Sequence, residues 1–247
     1  MKKILLVATT LLLILTGCTS KQDPNKYIIV TDTAFAPFEF TNDKNEFVGI
    51  DVDLIKAIAD KEGFEIDLQS VGFSAALTAL ETGQADGLIA GMSISDERKE
   101  KYDFSEPYFE VYVTMGVKKD SDITDLEGLR GKSVAVKDGT TSAAYAESVK
   151  DEYGFTTTYF ESSPVMYQDV VLGNSAAAFE DEPILDYNIK HSGVALKKVE
   201  SVKTSPTPYG FAVLKGKNDE LLSKFNAGLK ALKEDGTFDD IKDTYTK

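Results

Sequence analysis

The chain has 247 residues, enough for one or two domains, and 42% of them are hydrophobic, which is ordinary for a globular body. Its formal net charge of −14 argues against nucleic-acid binding, since phosphate recognition needs clustered Lys and Arg side chains. A single cysteine excludes an internal disulfide, so the core alone must hold the fold.

The N-terminal residues predict export and lipid anchoring. A short basic start precedes a largely apolar run over residues 4–15, which is too short for a membrane span and fits a secretory signal. The run leads directly into Leu-Thr-Gly-Cys, which resembles a bacterial lipobox with acylated Cys18 as the first mature residue. We therefore expect a signal peptide at 1–17 and a lipidated tether at 18–26, holding the protein on the extracytoplasmic face of the cell membrane. The alternative is an ordinary signal with an incidental cysteine.

From residue 27 the chain alternates between short apolar runs and helical patterns. Residues 51–61 carry apolar side chains at helical spacing and stop at Gly63, which predicts an amphipathic helix. The other elements predicted in this half are strands at 27–30, 64–68, 87–90 and 111–117, a helix capped by Ser74 and ended by Gly83, and a helical turn from Ser95.

The second half repeats the alternation and ends in helices. The predicted strands are 133–136, 156–160, 176–179 and 210–214, and the predicted helices are 142–149, 164–172, one beginning at Pro183, 221–232 and 238–245. Such alternation is typical of an α/β fold whose mostly parallel sheets are covered by helices on both faces.

The length and the pattern favour two lobes over one large sheet. We place the first lobe at 27–113 plus 206–247 and the second lobe at 114–205. The two crossovers then lie near 113–117 and 205–209 and would act as a hinge. We expect the protein to be a monomer.

Polar and aromatic side chains follow the predicted strands. In open α/β sheets, ligands bind beyond the carboxyl ends of the strands, so these residues form the candidate site. They are Asp32, Phe35, Phe73, Ala90, Gly91, Ser93, Arg98, Lys137, Thr140, Thr141, Glu180 and Asp181. The set suits a free amino acid, whose carboxylate needs arginine and helix N–H groups, whose ammonium needs a carboxylate and whose stem needs aromatic walls.

At these residues the sequence resembles the polar amino-acid-binding proteins of bacterial ABC importers, and the glutamine-binding members most. The resemblance spans residues 27–247 and rests on six strings in register. They are TDTAFAPFEF (31–40), GIDVDL (49–54), AGMSISDERK (90–99), DFS (103–105), VAVKDGT (134–140) and EDEP (180–183). It implies a two-lobed type II periplasmic binding protein fold, with mixed sheets and two hinge crossovers, that closes over one ligand and delivers it to a membrane permease.

The resemblance also implies roles at the α-carbon of the ligand. Arg98 would grip the carboxylate, helped by the backbone N–H groups of Ser93 and Thr141. Asp181 would accept the ammonium, helped by the Gly91 carbonyl and the Ser93 hydroxyl. No cofactor and no metal is implied.

At the other end of the ligand, Phe35 and Phe73 would sandwich the apolar stem, while Asp32 and Lys137 would meet the side-chain end. A glutamine amide offers an NH₂ group to the aspartate and an oxygen to the lysine. Glutamate stays open as a competitor. Glu180 adds negative charge near the site and keeps arginine or lysine open as ligands.

The residues by themselves also allow ordinary structural roles. Phe35 and Phe73 fit a core, Arg98 a solvated helix face, Asp181 a helix N-terminus, Asp32 a turn and Lys137 an exposed position. A function from another class, a dehydratase-like enzyme on the same fold, is the other alternative. The single histidine, His191, lies in a polar helix end and shows no nucleophile beside it.

Overall fold

The computed structural model describes residues 25–247. The predicted signal peptide, Cys18 and nearly all of the predicted tether lie outside the described residues. Between residues 25 and 247, no helix is both long and apolar enough to cross a membrane.

Lobe 1 is built on a five-stranded mixed sheet. Its strands are β1 (Lys26–Thr31), β4 (Glu65–Ser70), β5 (Gly87–Leu88), β6 (Tyr102–Phe104) and β14 (Ala212–Leu214), with a small hairpin of β2 (Phe40–Thr41) and β3 (Phe47–Val48) beside it. The strand order is β4-β1-β5-β14-β6, in which β14 runs antiparallel to both of its neighbours. Its helices are α1 (Ile50–Glu62), α2 (Phe73–Glu81), α3 (Asp96–Lys99), α7 (Asp219–Asp235) and α8 (Thr237–Thr246).

Lobe 2 has a second five-stranded mixed sheet. Its strands are β8 (Val113–Lys118), β9 (Ser133–Lys137), β10 (Thr156–Phe160), β11 (Ala177–Asp181) and β12 (Leu196–Lys203). The order is β10-β9-β11-β8-β12, with β8 antiparallel to β11 and β12. Its helices are α4 (Thr141–Tyr153), α5 (Ser163–Leu172) and α6 (Glu182–Lys190).

Two short antiparallel strands join the lobes. They are β7 (Phe109–Val111) and β13 (Thr207–Tyr209), which pair Thr207 with Val111 and Tyr209 with Phe109. The chain leaves lobe 1 through β7 and returns through β13. The ladder therefore forms the hinge strands, and the two-lobed fold with two crossovers is what the structure has. The lobe boundaries drawn from the sequence stay a prediction.

Local chemistry explains where the elements that carry the site begin and end. Helix α1 ends because Gly63 adopts the left-handed conformation, at φ 69°, and closes the last turn. Helix α4 begins where the Thr140 hydroxyl accepts a hydrogen bond from Ala143 N at 3.1 Å. Strand β8 reads Val-Thr-Met-Gly-Val-Lys and is buried except at its last residue, as a central strand requires.

Several sequence predictions differ from the structure. The run 111–117, predicted as one strand, is broken at Tyr112 into β7 and β8, since the chain changes sheets there. Ser74 does not cap α2, because the helix begins one residue earlier with Gly72 before it. The sheets are mixed, as the family resemblance implies, rather than mostly parallel as the alternation alone predicts. Strands β2, β3, β6, β12 and β13 were not predicted.

Candidate binding site

The carboxyl ends of strands from both lobes face one another across a narrow enclosed space. The cavity left between the lobes is about 10 Å³, roughly the room of one water molecule. Its walls are formed by Phe35, Phe73, Ala90, Gly91, Ser93, Arg98, Lys137, Thr140, Thr141 and Asp181. Ten of the twelve candidate residues thus lie together, and Asp32 joins them through Lys137. Glu180 does not line the cavity.

Arg98 spans the two lobes at one end of the cavity. Helix α3, which carries it, is capped at its N-terminus by Ser95, whose hydroxyl accepts a hydrogen bond from Arg98 N at 3.2 Å. The guanidinium donates from Nη1 to Ser93 O and from Nη2 to Gly139 O, both at 2.9 Å. Desolvation lowers the pKa of Arg98 from its very high ordinary value, and the charge of Asp181 opposes this. The side chain stays a cation that can pair with a carboxylate.

The N-terminus of α4 points at the same end of the cavity. Thr141, the first residue of the helix, lies with its hydroxyl 3.0 Å from the Ser93 hydroxyl of lobe 1. The free N–H groups and the positive end of the helix dipole favour an anion at this place. Arg98 and this helix end therefore suit a carboxylate group.

Asp181 lies at the last position of β11 and is 95% buried, with an exposed fraction of 5%. Its Oδ1 accepts a hydrogen bond from the Ser142 hydroxyl at 2.8 Å, and its Oδ2 accepts one from the Tyr209 hydroxyl. Burial raises the pKa of Asp181, whereas the hydrogen bonds from Tyr209 and Ser142 oppose that rise. The carboxylate faces the cavity and suits a ligand cation.

Asp32 and Lys137 form an ion pair between the lobes at the far end of the cavity. Asp32 is fully buried and Lys137 is 2% exposed, so both members of this ion pair are shielded from solvent. Asp32 Oδ1 also accepts a hydrogen bond from Thr33 N at 2.6 Å. The Lys137 ammonium lies 4.3 Å from the centroid of the Phe35 ring and 5.6 Å from that of Phe73. The two rings thus flank the position that a ligand stem would take.

Gly91 brings its backbone close to the rings. At φ +53°, a Cβ built on this residue would lie 2.7 Å from a ring carbon of Phe35. Its N–H donates to Asp51 Oδ2 at 2.6 Å, and Tyr108 donates to the same oxygen at 2.8 Å. Burial raises the pKa of Asp51 to about 7. Asp51 and Tyr108 thus hold the Gly91 backbone in place from outside the cavity. Neither residue was singled out in the sequence analysis.

Glu180 points away from the cavity because successive residues of a strand face opposite sides. Its Oε2 accepts hydrogen bonds from Ser163 Oγ at 2.6 Å and from Tyr167 OH at 3.1 Å. Burial, and next the charge of Asp181, raise the pKa of Glu180 to about 7. The carboxyl group of Glu180 therefore lies on the side of the sheet that is turned away from the cavity and does not face a ligand there.

The two lobes also touch through polar and aromatic contacts besides those of Arg98 and Lys137. Ser74 Oγ of α2 donates to Asp138 Oδ2 at 3.1 Å, and the ring centroids of Phe40 and Tyr187 lie 5.6 Å apart. These contacts join residues that are far apart in the chain and belong to different lobes. The structure therefore has the lobes closed on one another.

An arginine, a helix N-terminus and a buried carboxylate lie together in the cleft between the two lobes. This arrangement defines a receptor for a small zwitterion. The chain belongs to the bacterial extracellular solute-binding proteins, family 3, whose family model matches residues 27–247. It is thus a polar amino-acid-binding protein of the kind that serves bacterial ABC importers.

Individual relatives agree with this family. The arginine-binding extracellular protein ArtP of Bacillus subtilis (strain 168) is 32% identical over 249 residues, which cover 98% of this chain and 97% of ArtP. The structure of an ancestral arginine-binding protein bound to glutamine is 36% identical, has a TM-score of 0.82 and covers 91% of this chain and 99% of that chain.

A third comparison concerns the lobe arrangement. Substrate binding domain 2 of Lactococcus lactis GlnP, in an open conformation, is 39% identical over 91% of this chain and 97% of that chain, with a TM-score of 0.60. Its score is lower than that of the glutamine-bound ancestral protein although its identity is higher. A different angle between two similar lobes lowers a whole-chain superposition in this way.

Proposed function

We propose that this chain is the substrate-binding lipoprotein of an amino-acid ABC importer and that its ligand is L-glutamine, bound by closure of the two lobes. One observation carries the choice of glutamine. The side-chain end of the cleft holds one buried carboxylate, Asp32, and one buried ammonium, Lys137, whose charges cancel. A neutral side chain with one donor and one acceptor matches such an end.

The proposed binding pose uses both lobes. The ligand carboxylate pairs with Arg98 and the N-terminus of α4, and its ammonium pairs with Asp181 and the carbonyl of Gly91. Lys137 moves away from the rings of Phe35 and Phe73, since the stem takes that position. Its ammonium then donates to the amide oxygen, while Asp32 accepts from the amide nitrogen. Because these contacts come from both lobes, the ligand favours the closed form.

Arginine is the main competitor, since the relative ArtP is named for it. An arginine side chain would pair with Asp32 but would also lie beside Lys137. Two like charges about 4 Å apart repel by about 4 kcal/mol at an effective dielectric constant of about 20. We therefore propose that Lys137 excludes arginine and lysine. Glutamate would pair with Lys137 but face Asp32, and we expect weaker binding for it.

The proposal includes the N-terminus and the partners. We propose that Cys18 is acylated, that the lipid holds the protein on the outer face of the cell membrane, and that a membrane permease receives the ligand from a monomeric binding protein. The lipobox-like LTGC string supports the anchor. Metabolic labelling with a radioactive fatty acid tests it, with Cys18→Ser as the unlabelled control.

We further propose that the chain binds its ligand without chemical change. His191, the single histidine, lies exposed at the end of α6 and stacks on Tyr187 at 4.6 Å between ring centroids. It does not line the cavity. The full chain is purified in mild detergent, unfolded and refolded to remove carried ligand, and incubated with glutamine. Intact glutamine recovered in a one-to-one complex supports the proposal, and formation of glutamate or another product contradicts it.

A further inference from the structure

Tyr209 is held rigidly at the hinge. It is the last residue of β13, fully buried, and its backbone pairs with Phe109 of the other hinge strand. Its ring packs among those of Phe38, Tyr108 and Phe109, with centroid distances of 5.2, 6.5 and 6.4 Å. Such packing restricts the orientation of the phenol.

That orientation directs the hydroxyl across the cleft. Tyr209 OH donates to Asp181 Oδ2 of lobe 2, while Ser142 donates to Oδ1 from α4. Burial, and next the charge of Asp181, raise the pKa of Tyr209 well above its ordinary value, so the hydroxyl keeps its proton and acts as a donor. Asp181 is thus held by one donor from each side of the hinge. Each oxygen keeps a further lone pair for a ligand.

We infer that Tyr209 is a positioning residue that keeps Asp181 ionised and directed at the ligand ammonium, and that it does so only when the lobes close. The Tyr209 ring is packed against Phe38 and Tyr108 on the lobe 1 side of the hinge, whereas Asp181 belongs to lobe 2, so an opened hinge separates the hydroxyl from the carboxylate. Closure therefore completes the ammonium subsite. This inference rests on the proposed binding of an amino acid, but not on glutamine being that amino acid.

The consequence is a specific pH dependence. Asp181 binds an ammonium only when it is ionised. Burial raises its pKa, whereas the hydrogen bonds from Tyr209 and Ser142, and next the positive charges of Arg98 and Lys137, oppose that rise. Removing the hydroxyl removes a hydrogen bond that lowers this pKa, so the pKa rises further. As the pH is lowered, a variant without the hydroxyl must therefore lose binding at a higher pH than the unsubstituted chain does. A role in packing alone would not move the decline.

The test uses Tyr209→Phe in the full chain, purified in mild detergent, with titration calorimetry between pH 5 and 8. The ligand is the amino acid that the unsubstituted chain binds. We expect affinity at pH 7.5 to fall about tenfold to a hundredfold, because a buried acceptor loses its donor. We also expect the decline at a higher pH. The matched control is Tyr167→Phe, since Tyr167 is equally buried and donates to the carboxylate of Glu180, outside the cavity.

A second measurement uses the ligand without its α-amino group. The unsubstituted chain should prefer the amino acid strongly, whereas Tyr209→Phe should prefer it less. If Tyr209→Phe does not fold, Ser142→Ala removes the other donor and must move the decline in the same direction. An unchanged pH profile and an unchanged preference in Tyr209→Phe overturn the inference alone. Failure of the unsubstituted chain to bind any amino acid overturns the proposed function, and the inference with it.

Discussion

Replacing Lys137 with methionine should convert the cleft from one that excludes arginine into one that accepts it. Methionine keeps much of the length and removes the charge, so Asp32 becomes a buried carboxylate without a cation. A guanidinium could then take the place of the lost ammonium. The side-chain end of the site would change from neutral to negative, and its preferred ligand would change accordingly.

The magnitude follows from Coulomb's law for two like charges about 4 Å apart. For arginine, removal of like-charge repulsion of about 4 kcal/mol corresponds to a gain of about a thousandfold in affinity. For glutamine, loss of a hydrogen bond from a charged donor costs about 1.5–3 kcal/mol, or roughly ten- to a hundredfold. The order of preference should therefore invert. Breaking a buried pair also destabilises a fold by about 3–5 kcal/mol, so thermal unfolding must first show that the variant is folded.

Titration calorimetry with arginine, glutamine and glutamate measures the inversion. Lys198→Met is the matched control, since Lys198 is a largely buried lysine of lobe 2 that pairs with Glu182 and Asp186, both at 2.9 Å, away from the cavity. This control should bind as the unsubstituted chain does. If Lys137→Met keeps both its glutamine affinity and its exclusion of arginine, the electrostatic reasoning is refuted.

Three further changes probe the rest of the site. Arg98→Lys should weaken amino-acid binding at least tenfold in calorimetry, because a point charge cannot replace the planar fork that reaches Ser93 and Gly139; unchanged binding would place the carboxylate elsewhere. Glu180→Gln should leave affinity within about threefold, since Glu180 faces away from the cavity, and a larger change would contradict that orientation. The raised pKa of Asp51 means that its proton stabilises the fold at low pH and that this stability is lost as pH rises through about 7. Asp51→Asn should therefore reduce the fall in unfolding free energy between pH 5 and 8 by about 3 kcal/mol in denaturant titrations, and an unreduced fall would refute this account of Asp51.

The sequence predicted those helices and strands whose positions are determined by neighbouring residues in the chain. The helix ending at Gly63 and the long C-terminal helix have clear apolar spacing and a glycine that adopts the left-handed conformation after the last turn. Strand β12, by contrast, reads Leu-Lys-Lys-Val-Glu-Ser-Val-Lys, and its lysines hide the pattern because it is an edge strand of the sheet. The break at Tyr112 was hidden for a different reason, since only the pairing partners reveal a change of sheet.

The same distinction holds for the site. Strand ends could be gathered into one cleft because the carboxyl ends of parallel strands share an edge. Asp51 lies in the first turn of a helix, where an acidic residue usually stabilises the helix dipole. The sequence therefore gave no sign of its hydrogen bond with Gly91 N. Tyr209 gave none either, since its contact with Asp181 depends on the angle between the lobes. The orientation of Glu180 could be predicted only once the register of β11 within its sheet was known.

The central claim is that the Asp32–Lys137 end of the cleft selects a neutral amide. Titration calorimetry of the refolded full chain with a panel of L-amino acids tests it most directly, and the absence of tryptophan makes intrinsic fluorescence a poor substitute. Saturable one-to-one binding of glutamine, weaker binding of glutamate and no binding of arginine are the predicted result. Tight binding of arginine or lysine by the unsubstituted chain would contradict the claim.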